Sequence, residues 1–516
     1  MVQFMSGPEA AELIQDGDTI AMLGNGGMTV EPRLVYRCIG ERFSATGAPR
    51  DLTLIHSAGI GDRGEEGLSR FAQDGMTRRV IGGHWAWSPK MQTMANEGRI
   101  EAYNLPQGVI CQQYREIAAK RPGLITRTGL GTFVDPRIDG GKLNSATTED
   151  LVDLIEIAGQ TYLHFRPWQI DVGIIKGSTA DLDGNISMAD EVAFLEAQAI
   201  AMAAHNCGGL VIAQVRNVVE TGTLHPQSVK VPGVLVDAVV VDPEQWQTCL
   251  GPYDPALCGA SRRAQGAFDA MPLNQRKIIA RRAAQELRPG MVINLGFGIP
   301  DGVASVANEE HLMDQITATI EQGLIGGIPA QGDIFGSAYN ARAFVDAPSQ
   351  FDFYSGRGLD LTCLGMAQVD QHGNVNVSRF GPTIAGCGGF IDISQSAEVA
   401  IFCGTFTAGG LQTEVVDGEL AILQEGRARK FVDRVQHITF SGGQARAQGQ
   451  TVLYVTERAV FRLIDDGLEL IEVAPGIDLQ TQVLDQMGFR PAICPGLTTM
   501  DARIFADAPM GLTLQH

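Results

Sequence analysis

No run of eighteen uninterrupted apolar residues occurs in the 516 residues, so the length that a membrane-spanning helix needs is missing. The N-terminal MVQFMSGPEAAELIQDGD lacks a basic stretch followed by an apolar one, and neither a signal peptide nor a membrane span is expected. Cysteine is sparse and unpatterned: nine residues, an odd number, with no CxxC pair, which points away from a disulfide framework or a zinc site and toward a reducing cytoplasm. Positive charge is also short. With 39 Lys and Arg against 59 Asp and Glu the formal net charge is −20, which argues against nucleic acid or an anionic membrane as partner. An anionic ligand would need a local site.

Several catalytic signatures fail on inspection. The loops at Gly24 and Gly26, Gly296 and Gly298, and Gly386 and Gly388 each lack the third glycine of a dinucleotide fingerprint. One full G-x-G-x-x-G lies at 59–64, but Asp62, Glu65 and Glu66 suit a pyrophosphate poorly and Gly67 weakens a following helix. Gly141-Lys142 is followed by Leu143 rather than Ser or Thr, Ser57 has Ile55 where a nucleophile elbow needs glycine, and the nine histidines form no H-E-x-x-H. No metal site is expected.

What the chain has in excess is glycine: 62 residues, about one in eight against an average near 7%, without low-complexity periodicity. Apolar strand-like runs at 234–241 and 399–403 alternate with helical stretches at 190–204 and 274–286, which predicts α/β architecture with largely parallel sheets. Ligands then bind at strand C-terminal ends, where the glycine loops lie.

The order of elements repeats. Helix, turn, strand and glycine loop pass through Gly17 to Gly27 and again through Gly290 to Gly298. A second echo relates Asp183-Gly184-Asn185-Ile186-Ser187 to His372-Gly373-Asn374-Val375-Asn376, with an offset of 189 residues between Gly184 and Gly373. Matched order of this kind marks duplicated halves. The predicted division is 1–250, a turn-rich linker at 251–273, and 274–516, with an insertion near 80–160 in the first half.

The stretch 316–331, ITATIEQGLIGGIPAQ, is the most pointed in the chain. A β-branched run ends at Glu321, and Gly323, Gly326, Gly327 and Pro329 stop either regular structure from continuing. A carboxylate at a strand end beside glycine loops can be approached closely by a large ligand and can act as a covalent nucleophile. It can also be a capping or surface group beside an ordinary turn. The residues of the stretch leave both readings open. Asn376 is the better placed of the two asparagines to face a site, because Asn374 directly follows Gly373 and belongs to the turn.

The runs TIEQGLIGGI at 319–328, GNVNVSRFG at 373–381 and GCGGFIDI at 386–393, together with Gly83-His84-Trp85 and the IEAYNLPQG run at 100–108, resemble the family I coenzyme A transferases. The likeness spans nearly the whole chain and is greatest to the acetate or propionate type, in which both halves are fused. It implies two related open α/β domains with the site between them, built mainly by the second half. It further implies a ping-pong reaction in which Glu321 passes through an acyl anhydride to a glutamyl-CoA thioester. On the same basis Asn376, Gly388 and Gly389 are oxyanion donors, and Gly296, Phe297, Gly298, Ile299, Gly326 and Gly327 frame the substrate.

Gln322 stands where the family type commonly has proline, and Arg357 lies in a stretch usually made of small residues. Arg357 could pair with a dicarboxylate substrate or be a solvated surface residue. The implied partners are an acyl-CoA and a free carboxylate, with no metal or redox cofactor beyond the CoA thioester itself, in a homodimer or homotetramer. Acyl-CoA hydrolysis and non-catalytic acyl-CoA binding are the alternatives.

Overall fold

Short, largely apolar runs such as VGIIK and VAIFC suit strands covered on both faces. In the computed structural model, which describes residues 2–264 and 270–515, they form the strands Val172–Lys176 and Val399–Cys403 at the centres of two large sheets. The first sheet has eight strands, all parallel, in the order Gln3–Met5, Ala238–Val241, Leu210–Val215, Val172–Lys176, Thr19–Met22, Leu52–His56, Thr77–Gly82, Glu101–Asn104. The second has ten strands. Its centre is parallel, in the order Thr317–Ile320, Val292–Leu295, Leu361–Gly365, Val399–Cys403, Thr451–Val455, and antiparallel pairs begin on either side.

The duplication is visible in strand register. Val172 pairs with Leu210 and Ile174 with Ile212 in the first sheet, while Leu361 pairs with Val399 and Cys363 with Ile401 in the second, which is the same pairing displaced by the offset of the sequence echo. The turn that follows repeats atom for atom. Asp181 accepts from the Asn185 N–H (2.9 Å) and side-chain amide (2.9 Å), and Asp370 accepts from the same two groups of Asn374 (3.0 and 3.0 Å). Asn374 is therefore a turn residue.

Neighbouring residues on one strand feed different cores, as side-chain alternation requires. Ile175 joins Tyr103, Tyr114 and Phe133 on one face of the first sheet, and Ile174 joins Tyr36, Phe71 and Trp85 on the other. Ala330, Ile334, Cys387 and Ile391 enter the former cluster and Ile384 the latter, so the two halves share apolar core.

Some boundaries differ from expectation. The helix expected at 190–204 runs over Ala197–Asn206, because the preceding residues form turns whose Asp190 carbonyl accepts from Gln247 Nε2 at 2.6 Å. The strand expected at 234–241 starts at Ala238. Gly233 before it is packed so tightly that a Cβ would lie 2.1 Å from the Asp183 carbonyl, and its N–H donates to Asn185 Oδ1 at 2.9 Å, which fixes a 3-10 turn there. The segment 80–160 contains the edge strand Glu101–Asn104, the helices Pro89–Asn96 and Gln107–Ala118, and two strands of a small antiparallel sheet. Of the expected linker 251–273, residues 265–269 lie outside the described residues.

Candidate active site

Ligands of parallel sheets collect at strand C-terminal ends where strand order reverses. In the second sheet that reversal falls between Val292–Leu295 and Leu361–Gly365, and the ends there bring Gly296, Phe297, Leu364 and Gly365 to one cavity of about 430 Å³, with Glu321 and Gln322 from the adjacent strand. The first sheet faces the same cavity. The segments after four of its adjacent strands supply Asn25, Gly59 and Trp87 from loops and Gln107 from the start of the helix Gln107–Ala118 to the wall. Of the 26 lining residues 17 come from the second half and 9 from the first, so the second half builds most of the wall, as the resemblance implied.

Glu321 follows directly on the strand Thr317–Ile320 and is buried. Gly323 makes the turn after it possible, since its φ is +101° and a Cβ would sit 2.1 Å from the Val345 carbonyl. Burial pushes the Glu321 carboxyl above its ordinary range, and hydrogen bonds, including one from Asn294, pull it back only in part. Asn294 is itself fully buried, and its Nδ2 lies 3.3 Å from Glu321 Oε2, 3.3 Å from the Thr319 carbonyl and 3.3 Å from Tyr354 Oη. Tyr354 in turn donates to Thr319 Oγ1 at 2.9 Å. This backing fixes the carboxylate from behind while its other side faces the cavity.

Opposite lies the loop Gly386-Cys387-Gly388-Gly389, seated on the first half. The Gly388 N–H donates to the Gly83 carbonyl (2.8 Å), the Cys387 N–H to Asn104 Oδ1 (3.0 Å), and the Gln107 N–H to the Gly388 carbonyl (2.9 Å). A Cβ on Gly386 would lie 2.8 Å from the Gly83 carbonyl, so the two backbones meet where no side chain fits. Among the described residues the Gly389 N–H meets no acceptor, and Gln107 Nε2 is buried without a partner. Both residues line the cavity. They are the donors able to meet an oxyanion there.

Glu321, Gly388, Gly389, Gly296 and Phe297 are thus brought together, and Gly298, Ile299, Gly326, Gly327, Asn376 and Arg357 are not among the residues of the wall. Two of the expectations need correction. Asn376 is no oxyanion donor, because its Nδ2 already donates to Gln368 Oε1 (2.7 Å) and the Arg379 carbonyl (2.7 Å), and its Oδ1 accepts from Ser378 and Arg379. The Gly388 N–H is committed to Gly83, as given above. Arg357 is exposed just past the helix Ala347–Ser355, with φ +65°. Gly327 lines a separate 250 Å³ cleft with Arg262, Arg263 and Arg342. The lone G-x-G-x-x-G loop is held by its own protein: the Gly61 N–H donates to the buried Glu31 carboxylate at 3.0 Å, where a bound phosphate would otherwise accept.

Comparison with known proteins agrees with this architecture. The coenzyme A transferase family model matches residues 4–242. The acetate CoA-transferase YdiF of Escherichia coli K12 is 48% identical over 99% of this chain and 97% of its own. The chain belongs to the family I coenzyme A transferases, in the type with both halves fused. The caffeate CoA-transferase of Acetobacterium woodii is 46% identical over 99% of each chain. The acyl-CoA transferase YdiF of Escherichia coli O157:H7, solved as a thioester complex with CoA, superposes with a TM-score of 0.94 at 47% identity, over 99% of this chain and 98% of that one. The chain is therefore an enzyme of the CoA-transferase class, acting on acyl-CoA and carboxylate substrates.

Sequence reasoning assigned no role to several residues that the transferase cavity uses. Asn25, His84, Trp87 and Gln107 come from the first half and meet Glu321 only when the two sheets face each other. Asn294 sits within a strand whose pattern reads as plain core. The one local signal was the conjunction of strand ends and glycines in the first half, which marks loops at a ligand face without saying which side chains point inward.

Proposed function

We propose that this CoA-transferase moves CoA from a short-chain acyl-CoA of the acetate or propionate class to a free carboxylic acid, by a ping-pong route through a glutamyl-CoA thioester on Glu321. A Glu321 oxygen attacks the thioester carbonyl, the C–S bond breaks, and CoA leaves as thiolate from an acyl-glutamyl anhydride. The thiolate then attacks the glutamyl carbonyl and expels the donor's carboxylate. An acceptor carboxylate runs the same steps in reverse, so that atoms and charge balance and no further cofactor is required.

The observation that carries this reading is the placement of Glu321, buried at a strand end, braced by Asn294 and open to the shared cavity. Attack needs the carboxylate form, which burial disfavours and the hydrogen bond from Asn294 favours; the further need is stabilisation of the tetrahedral oxyanion, for which one placed donor supplies about 3 kcal/mol. Gln107 Nε2 and the Gly389 N–H are the donors we assign to it. Hydrolysis by water competes at the thioester, and Phe297, Phe335, Phe380 and Phe390 in the wall keep that water scarce. The family resemblance supports a homodimer or homotetramer as the working form, and the sparse, unpatterned cysteines support a reducing cytoplasm as its setting.

Initial-rate kinetics at varied acyl-CoA and acceptor test the route. Parallel double-reciprocal lines, and exchange of labelled acetate into acetyl-CoA by enzyme first loaded with CoA, are expected. Intersecting lines without such exchange would exclude it.

A further inference from the structure

Among the described residues lining the cavity, Glu321 is the one acidic side chain and Arg63 the one Lys or Arg; His84, also in the wall, is held neutral by burial, its pKa lowered to about 4. Arg63 belongs to the loop 59–64 and adopts φ +64°, and its backbone N–H donates to the Trp87 carbonyl at 2.9 Å. Its guanidinium stacks on the Trp87 ring, 4.1 Å from the centroid. That ring is wedged in place: a Cβ on Gly26 or on Gly59 would lie 2.3 Å from it. Arg63 Nη1 also reaches Asp333 Oδ1 of the second half at 3.2 Å, an ion pair about half exposed on both sides. An exposed pair of this kind is weak and opens readily.

The glutamyl-CoA route brings a free carboxylate into a cavity walled by aromatic and aliphatic groups. An anion loses hydration there and requires a compensating positive charge. Once Glu321 is held as a thioester its own charge is gone, and Arg63 remains as the fixed cation of the wall. The CoA phosphates are a poorer match for it, because they lie at the far end of the pantetheine arm from the thioester, whereas Arg63 lines the same cavity as Glu321.

We propose that Arg63 recruits the acceptor carboxylate, exchanging Asp333 for the incoming anion while Trp87 keeps the guanidinium aimed into the cavity. Arg63 is then the residue that selects a carboxylate acceptor. This inference rests on the glutamyl-CoA reading.

A neutral nucleophile separates carboxylate recognition from the reactivity of the adduct. Enzyme is loaded with acetyl-CoA, freed of small molecules, and mixed with acetate, propionate or uncharged hydroxylamine, and decay of the CoA adduct is followed. Arg63→Met should lower the second-order rate with acetate or propionate by about tenfold to a hundredfold and flatten its dependence on salt, while decay with hydroxylamine falls much less. Arg63→Lys should restore part of the salt dependence, and Asp333→Asn should raise the carboxylate rate. Equal losses with carboxylate and hydroxylamine for Arg63→Met, or a carboxylate rate unmoved in both Arg63→Met and Asp333→Asn, would overturn the proposal. Absence of any adduct on the wild-type enzyme would instead remove the glutamyl-CoA reading, and this inference with it.

Discussion

Gln322, the residue after the nucleophile, donates its side-chain amide to Asn25 Oδ1 of the other half at 3.0 Å. Asn25 in turn donates to the Phe335 carbonyl (3.2 Å) and to Thr29 Oγ1 (3.2 Å), so the backbone beside Glu321 is tied to the glycine loop of the opposing sheet. A proline at this position could make no such link, which gives the glutamine a structural reason. The halves are joined at the point where the chemistry needs them aligned.

Gln322→Ala tests that tie. It leaves buried Asn25 Oδ1 without its donor, at a cost of about 1–3 kcal/mol, and lets the two loops drift. A lower melting temperature together with a fall in kcat of roughly tenfold to a hundredfold is expected from calorimetry and steady-state rates. Wild-type values of both would show that the link is idle.

Gln107→Leu removes the unpartnered amide from the wall at similar volume. If that amide meets the oxyanion, kcat drops by about 10²–10³ with little change in KM for acyl-CoA. A rise in KM alone would assign Gln107 to ground-state binding.

The pH profile reports the environment of Glu321. Burial raises its pKa, and ionisation is required for attack, so kcat/KM for acyl-CoA should fall on the acid side with an apparent pKa above the ordinary glutamate value. Asn294→Ala removes a donor that favours the carboxylate and should move that limb to higher pH. A shift to lower pH would contradict the assignment.

Stability carries its own pH signature. Burial raises Glu31, Glu196 and Asp392 to about 7, while their unfolded values lie near 4.5 for glutamate and 3.8 for aspartate. Between those limits the folded protein binds more protons than the unfolded chain, so the stabilising contribution is full below the unfolded values and is lost as pH rises through about 7. Denaturant titrations from acid to neutral pH should show this decline, and Glu31→Gln, which keeps an acceptor for the Gly61 N–H, should make it shallower. An unchanged slope in Glu31→Gln would place the carboxyl in the ionised form throughout.

The parts of the site legible in the sequence are those that local rules decide. A β-branched run stopped by glycines puts Glu321 at a strand end, and Gly386-Cys387-Gly388-Gly389 reads as a tight loop before a helix. Roles that depend on which partner a group finds were less accessible. Asn376 and Gly388 both carry suitable donors, but Gln368, Arg379 and Gly83 take them up. Gln107 and Asn25 lie more than two hundred residues from Glu321 in sequence and join it through the facing of two sheets, which no local pattern encodes. The helix expected at 190–204 loses its first turns to contacts of the same long-range kind.

The central claim is a covalent bond between CoA and Glu321, and chemical trapping reads it directly. The enzyme is incubated with acetyl-CoA or propionyl-CoA, its intact mass is recorded, and the adduct is reduced with borohydride and mapped by peptide mass. A gain of one CoA, and conversion of the residue at 321 to the alcohol, are expected. An enzyme that turns over acyl-CoA with no adduct, or with the reduced residue elsewhere, would contradict the account.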